Sequence, residues 1–502
     1  MLKDIKTAFG KSAVYSLGNL STKVIGLILI PLYTDQTYLS ISDYGALGVL
    51  EITAQVLVAL MSFTLSMSLS RWYWDDAHAG KQKSIFFTSM VTLLGISIFI
   101  LAFALPFAGS LSSLLFKHSD YRYVITLLLI NSSLQILITQ VQTLLKLQSK
   151  ALLYSLISIL KLTITLVLTV YFIVYQGKRI DGIFEAQLIG SVVVMALLIP
   201  FVIKNSRLRF EGAVILEMLN YSLPLMLASI SGVFFSVIDR YSLNYMEGLE
   251  RVGVYNLGYK IASTLKVVVI SSVQLALSPM LMKRINDPNN KPFYAIVMTY
   301  FSFGIMFCVV GLSLFSLEVI KFASRDILYW ESANIVAILA FGFFFGMLKD
   351  SVFIGLHVVK KTRILALLIA ISSVINLGLN VMLIPRYSIY GAAVGTLIAQ
   401  MLFFGLTYFV AQKWYKIPYE LKRVSLILLT GIILVVVGFL SNELNFVLRM
   451  GLKVILLIAF PFILYMFRFY NPSELDLIKA ALLTWRNPSK LKSNLKRLLH
   501  KK

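Results

Sequence analysis

Six ionisable side chains interrupt the long apolar stretches of this 502-residue sequence. They are Lys23, Glu51, Lys161, Arg240, Lys260 and Lys266. Inside a membrane a charged side chain costs about 2.5–3.5 kcal/mol on insertion scales, so such residues indicate a functional site. The lysines face a single central carboxylate, whereas Arg240 lies near the end of its stretch beside Asp239. Because lysine acts as an adaptable point charge for phosphate, this set predicts a cationic cavity that binds an anion.

Each of these charges also has a structural interpretation. A lysine near a helix end can extend its ammonium group to the membrane surface, and this applies to Lys260. Glu51 can either neutralise a neighbouring lysine as a structural pair or take part in ion exchange. Lys23, Lys161 and Lys266 lie near the centres of their stretches, where reaching the surface is harder. These three lysines are therefore interpreted as ligands of a substrate.

The stretches that hold the central charges also carry polar side chains every three or four residues, which places these side chains on one helix face. The faces are Ser12, Ser16, Asn19 and Lys23 in the first stretch; Glu51, Gln55, Ser62 and Ser66 in the second; Ser155, Ser158, Lys161, Thr165 and Thr169 in the fifth; and Asn256, Lys260, Ser263, Lys266, Gln274 and Ser278 in the eighth. Since lipid cannot satisfy polar groups, we expect stretches one, two and five to form one wall of a cavity and stretch eight the other.

The composition is that of a membrane protein. Hydrophobic residues make up 58% of the chain and charged residues 14%, against about 45–50% and about 25% in soluble domains. Apolar runs of about 20 residues, the length that spans a bilayer, centre near residues 22, 55, 95, 132, 164, 192, 226, 266, 304, 343, 374, 402, 432 and 458. The sequence thus predicts an all-α polytopic protein of about fourteen transmembrane helices. A single cysteine, Cys308, excludes a disulfide within the chain and disfavours a metal–thiolate site.

The positive charges predict the orientation. The formal net charge is +23, and most lysines and arginines lie at the N-terminus, in every second loop and beyond Phe467. By the positive-inside rule both termini are cytoplasmic, so we expect a multi-pass protein of a bacterial inner membrane. This distribution does not form a nucleic-acid-binding face. Residues 471–502 are predicted to form a basic amphipathic tail that lies on anionic membrane lipids.

An internal repeat divides the chain. Ser42-Asp43-Tyr44-Gly45 corresponds to Glu250-Arg251-Val252-Gly253 at an offset of about 208 residues, and Gly182-Ile183 corresponds to Gly391-Ala392 at nearly the same offset. Repeats related by an axis along the membrane normal are common in transporters that bind substrate between two halves. We therefore predict six-helix lobes at residues 1–209 and 210–418, in pseudo-twofold arrangement, followed by helices 13 and 14 at 419–470 and the tail at 471–502.

Several motifs resemble one family. They are Gly18-Asn19 and Ile30-Pro31 in the first stretch, Asp43-Tyr44-Gly45 after it, Tyr221-Ser222-Leu223-Pro224, and Ile384-Pro385-Arg386-Tyr387 with the residues that follow. Together they resemble the polysaccharide-transport family of repeat-unit flippases, within the multidrug/oligosaccharidyl-lipid/polysaccharide exporter superfamily. The family usually has glycine where this chain has Ser388.

The resemblance implies a twelve-helix, two-lobed core with two added helices. It also implies export of an undecaprenyl-diphosphate-linked oligosaccharide, the repeat unit of O-antigen, capsule or exopolysaccharide. Such a transporter is not an enzyme and needs no cofactor, although it can couple to the membrane potential or to an ion gradient. Its partners would be the lipid-linked oligosaccharide, anionic membrane lipids and other polysaccharide-assembly proteins, and not nucleic acid.

Two other functions stay open at this point. A cation-coupled drug exporter of the same superfamily would share the fold but should carry acidic residues in its cavity. A membrane enzyme acting on lipid-linked sugars would need catalytic groups, and Asp75-Asp76 is the only acidic pair worth considering. No nucleotide-binding loop is recognisable, which disfavours ATP-driven transport by this chain.

Overall fold

The computed structural model describes residues 26–271, 274, 281, 284–285, 287, 290–359, 361–472 and 474–476. Within these residues the chain is helical throughout its regular structure. The helices are α1 Ile30–Tyr33, α2 Ile41–Met61, α3 Leu65–Trp72, α4 Gln82–Ala104, α5 Ala108–Phe116, α6 Arg122–Leu147, α7 Ala151–Val170, α8 Ile180–Asn205, α9 Gly212–Glu247, α10 Leu249–Thr264, α11 Asn290–Leu314, α12 Ser316–Ala323, α13 Ser332–Val358, α14 Thr362–Trp414, α15 Leu421–Leu440 and α16 Phe446–Met466. Short π-helical turns, Tyr171–Tyr175 and Leu265–Ile270, continue α7 and α10.

The predicted all-α multi-pass architecture is confirmed. Among the described residues, 11 helical segments are long and apolar enough to cross a membrane. One of them, Arg363–Trp414, contains two predicted spans, because its backbone leaves the helical region at Ser388. The predicted eighth span corresponds to α10 and its π-helical turn. Most of the predicted first span and the basic part of the tail lie outside the described residues, and the lobe boundaries stay predictions.

Ser388 explains why related proteins favour glycine at this point. Its φ of 49° lies in the left-handed region, where a side chain costs roughly 1–2 kcal/mol. Pro385 precedes it by three residues, and the Ser388 hydroxyl donates to Glu247 Oε2 at 3.0 Å. The sharp turn between the two halves of α14 is therefore held by a side-chain hydrogen bond to the end of α9.

The repeated motif around Gly45 has a clear structural role. Ser40 and Asp43 form a reciprocal capping box at the start of α2, which satisfies free backbone N–H groups there. A Cβ atom on Gly45 would lie 1.9 Å from the carbonyl oxygen of Leu249, and one on Gly253 would lie 2.5 Å from that of Ile41. The two equivalent glycines of the repeat thus allow α2 and α10 to pack backbone against backbone. We call this contact the glycine seam.

A buried charged cluster attaches α16 to the rest of the protein. Lys453 Nζ lies 3.0 Å from both carboxylate oxygens of Glu318 on α12, and Arg449 Nε lies 2.8 Å from Oε1 of the same residue. The Lys453 side chain is only 1% exposed. One carboxylate therefore neutralises two cations that lipid and protein would otherwise leave unpaired.

We expect Glu318→Gln to lower the thermal stability of the protein. Removing one partner of a buried ion pair costs about 3–5 kcal/mol, because the remaining charge is left uncompensated. Thermal unfolding of the purified protein in detergent, followed by size-exclusion chromatography, measures the shift in Tm. Glu331→Gln is the matched control, since its 3.1 Å pair with Arg251 is exposed and such pairs contribute about 0–1 kcal/mol. Equal Tm values for the two variants would contradict the prediction.

Candidate functional site

A cavity of about 780 Å³ lies between α2, α6, α7 and α8 on one side and α10 on the other. Polar side chains dominate the part contributed by α6 and α7. The residues lining the cavity are Gly26, Leu27, Tyr33, Glu51, Gln55, Asn131, Gln135, Ile138, Thr139, Gln142, Lys146, Tyr154, Ser158, Lys161, Leu162, Thr165, Gln187, Lys260, Ser263, Thr264, Val267 and Val268.

Three of the six predicted site residues line this cavity. Glu51, Lys161 and Lys260 are in its lining, whereas Arg240 and Lys266 are not. Lys23 lies outside the described residues. Whether any of them binds substrate stays a prediction, but the structure brings together charges from three helices that are distant in sequence.

Arg240 is placed away from the cavity, contrary to the prediction. Its side chain is 7% exposed, with Nε 3.4 Å from Asp239 Oδ1. The guanidinium group donates to the backbone oxygen of Ser236 and lies 4.0 Å from the ring centroid of Tyr259. Asp239 in turn accepts a 2.6 Å hydrogen bond from the Tyr255 hydroxyl. Arg240 therefore belongs to a buried network between α9 and α10, where its charge is already paired.

Lys266 and the polar face of the second stretch also differ from the helical prediction. Lys266 is exposed and lies in the π-helical turn Leu265–Ile270, which changes the direction of side chains relative to an α-helix. Val267 and Val268 reach the cavity at this level. In the second stretch the helix is interrupted between α2 and α3, so that Ser66 donates to Gln140 Oε1 at 2.9 Å and lies outside the lining.

Lys161 carries the least compensated charge in the lining. Its ammonium group donates to the neutral side chain of Gln135. No ion-pair partner of Lys161 is found within the described part of the chain. An ammonium group held by a neutral amide retains its full charge for an incoming anion.

Lys260 is paired, unlike Lys161. Its Nζ lies 3.0 Å from both carboxylate oxygens of Glu51. The Lys260 ammonium also lies 5.3 Å from the ring centroid of Tyr44 and 6.0 Å from that of Tyr33. The structural interpretation of Glu51 as the neutraliser of a lysine is thus realised in this conformation. The pair nevertheless lines the cavity, so it is also accessible to a ligand.

The charged residues lie at the same depth. Glu51 is 10 residues from the start of α2, Lys161 is 10 residues from the start of α7, and Lys260 is 11 residues from the start of α10. At 1.5 Å per residue these positions are about 15 Å from a helix end, near the midplane of a hydrocarbon core about 30 Å thick. Midplane sites between repeats are typical of transporters.

Sequence reasoning missed the contribution of the fourth stretch. This stretch supplies five residues of the lining, Asn131, Gln135, Thr139, Gln142 and Lys146. Their spacing of three or four residues is the same signal that identified the other polar faces. Only Lys146 is charged, and it lies beside the end of its helix, where a lysine is easily interpreted as a loop residue. With Lys146, Lys161 and Lys260 against Glu51, the described lining has a net positive charge.

The comparisons with known proteins agree with this fold. Residues 9–285 match the family model described as polysaccharide biosynthesis protein. Because the match covers more than half of the chain, the protein belongs to this family of membrane transporters, within the multidrug/oligosaccharidyl-lipid/polysaccharide exporter superfamily. No curated protein matches the sequence significantly.

Solved structures share the fold at low sequence identity. The lipid II flippase MurJ, in an inward closed conformation, superimposes with a TM-score of 0.74 at 16% identity, covering 91% of this chain and 100% of that one. A multidrug resistance MATE transporter in an inward-facing conformation gives 0.64 at 15% identity, covering 82% and 95%. A Vibrio cholerae MATE transporter gives 0.59 at 14%, covering 81% and 96%. The chain therefore has a MurJ- and MATE-like fold.

Proposed function

We propose that this protein flips an anionic undecaprenyl-diphosphate-linked oligosaccharide from the cytoplasmic to the outer leaflet of a bacterial inner membrane. The cargo would be a repeat unit of O-antigen, capsule or exopolysaccharide. The observation that carries the proposal is the cavity at mid-depth, in which three lysines oppose one glutamate. A diphosphate cannot cross hydrocarbon unaided, because burying its charges without partners is prohibitively unfavourable. The cavity offers it cations in place of water.

The remaining lining suits the sugar part of such a cargo. Amide side chains from Gln55, Asn131, Gln135, Gln142 and Gln187 provide both donors and acceptors for hydroxyl groups. The isoprenoid chain needs no cavity, since lipid itself dissolves it. We propose that substrate-binding by Lys23 and Lys266, if they face the cavity in another conformation, adds to this cationic surface.

The membrane potential supports the direction of transport. Moving one negative charge out of a cell with a negative interior is favoured by about 2.3 kcal/mol per 100 mV. We therefore propose that export is driven by the potential or by an ion gradient, without a bound cofactor or an enzymatic step. Both termini would be cytoplasmic, with the tail on anionic lipids, and other polysaccharide-assembly proteins would supply and receive the cargo.

Drug export by this chain is the second candidate, because multidrug resistance MATE transporters share its fold. A cationic drug would meet the ammonium groups of Lys146, Lys161 and Lys260, and the single carboxylate is already paired. Like charges in a cavity of low dielectric repel strongly. The charge of the cavity therefore favours an anionic cargo.

Proteoliposomes test the proposal directly. We expect the purified protein to accelerate the flipping of fluorescent undecaprenyl diphosphate bearing one N-acetylglucosamine, measured as the loss of fluorescence to a membrane-impermeant quencher. Fluorescent undecaprenol, which has no charge, is the matched lipid control and should not be accelerated. Efflux of ethidium down an imposed sodium or proton gradient, without flipping of the diphosphate lipid, would contradict the proposal and support the drug exporter.

A further inference from the structure

The Glu51–Lys260 ion pair joins the two predicted lobes. Glu51 is on α2, in the predicted first lobe, and Lys260 is on α10, in the second. Both residues line the cavity, and their side chains are 31% and 15% exposed. The pair thus holds the lobes together at a point that an anion in the cavity can reach.

The contacts beyond this pair close one end of the cavity. Gly45 lies six residues before Glu51 on α2, and Gly253 lies seven residues before Lys260 on α10. The glycine seam is therefore about 10 Å further along both helices. The buried ring of Tyr44 lies between them, 5.3 Å from the Lys260 ammonium. By the predicted topology this is the outer end, and its closure leaves the cavity facing inward.

Further interlobe contacts stabilise the same end. Gln36 donates to Asp326, and Asn244 donates to the backbone oxygen of Leu115 at 2.6 Å. Thr53 and Tyr241 join their hydroxyl groups at 2.8 Å, also between α2 and the second lobe. Most of these groups are neutral and lie outside the cavity lining. Of the interlobe contacts named here, the Glu51–Lys260 pair is the one that a charged cargo can break directly.

We propose that the Glu51–Lys260 pair is a latch on the outer gate that the diphosphate of the cargo releases. This inference rests on the proposed function. A diphosphate carries more negative charge than one carboxylate and offers more acceptor oxygens, so it competes effectively for the Lys260 ammonium. Lys161, at the same depth and held by a neutral amide, holds the cargo at the opposite wall. Glu51 then loses its partner across the lobe boundary, and the glycine seam loses its nearest ionic support.

The latch couples the arrival of cargo to the change of access. With the cavity empty, the pair favours the closed outer gate and prevents futile opening. With the cargo bound, the attraction between α2 and α10 is replaced by two separate contacts to the cargo. A ligand shifts a conformational equilibrium only through such differential contacts. Glu51 is in this sense a positioning residue, and its role differs from that of a substrate ligand.

Distances between spin labels across the outer gate test the latch. In a Cys308→Ser background, labels at Ser119→Cys and Leu328→Cys report on the two lobes, because both positions are exposed. The protein is measured in lipid nanodiscs with and without undecaprenyl diphosphate. We expect the parent to be closed without this lipid and to open with it. Glu51→Gln should raise the ratio of open to closed forms roughly fivefold without any lipid, as expected for losing a partly buried ion pair.

Two further variants serve as controls. Glu185→Gln removes the partner of Lys178 within the first predicted lobe, and we expect it to leave the distances unchanged. The exchange Glu51→Lys with Lys260→Glu restores an attractive pair and should restore the closed form. If folded Glu51→Gln stays closed like the parent, the latch is excluded. If undecaprenyl diphosphate neither binds to the parent nor is flipped by it, the proposed function fails, while the lipid-free comparison of Glu51→Gln with Glu185→Gln still decides whether the pair holds the gate.

Discussion

Lys161→Ala is expected to reduce the flipping rate of the diphosphate lipid roughly 10- to 100-fold. Lys161 lines the cavity at mid-depth, and its ammonium group has only the neutral Gln135 as its described hydrogen-bond partner. A hydrogen bond to a charged group contributes about 1.5–3 kcal/mol, and each 1.36 kcal/mol corresponds to a tenfold change in rate. Alanine is also the strongest helix former, so α7 should keep its structure. The initial rate in the proteoliposome assay measures the effect.

The choice of controls separates charge from position. Lys161→Arg keeps the charge and should retain most of the rate. Lys150→Ala removes a lysine that lies 4.5 Å from the ring centroid of Phe201 and is not in the cavity lining, so we expect it to transport like the parent. Parent-like flipping by well-folded Lys161→Ala would show that the cavity does not use this cation. A loss in Lys150→Ala of the same size would point to a general effect of charge on the membrane surface.

Gly45→Ala is expected to abolish most transport by a different route. An added Cβ atom would lie 1.9 Å from the carbonyl oxygen of Leu249, a distance at which α2 and α10 must separate. Inserting even one methyl group into close packing costs about 1–3 kcal/mol. Because the cost falls only on the conformation in which the glycine seam is closed, the variant should favour the outward-open form and should not return to the inward-facing one.

Accessibility of the cavity distinguishes this block from a loss of binding. In a Cys308→Ser background, Ser263→Cys places a thiol in the lining. We expect Gly45→Ala to lower its reaction with a membrane-impermeant reagent added from the cytoplasmic side about tenfold, in line with the packing cost. Gly304→Ala is the matched control, since no atom lies within 4 Å of a Cβ atom there. Unchanged labelling in Gly45→Ala would mean that the seam does not form the outer gate.

The two predictions depend on different parts of the sequence. The charge of Lys161 stands out in its apolar stretch and could be predicted to matter without a structure. The role of Gly45 could not, although its repeat partner Gly253 was recognisable at the corresponding position. A repeat in sequence shows that two segments are equivalent, but not that they contact each other. Their contact follows from how the helices pack.

Helix count and membrane character were determined by the sequence alone, because hydrocarbon imposes the length and composition of a spanning helix on every segment. The depth of Glu51, Lys161 and Lys260 also followed from counting residues along each span. What the tertiary structure decided was the direction and pairing of side chains. Arg240 is buried in a network with Asp239, Lys266 is turned away by a π-helical turn, and α6 adds a wall of amides. Pairing depends on helix rotation and packing between segments far apart in sequence, and local periodicity carries no information about either.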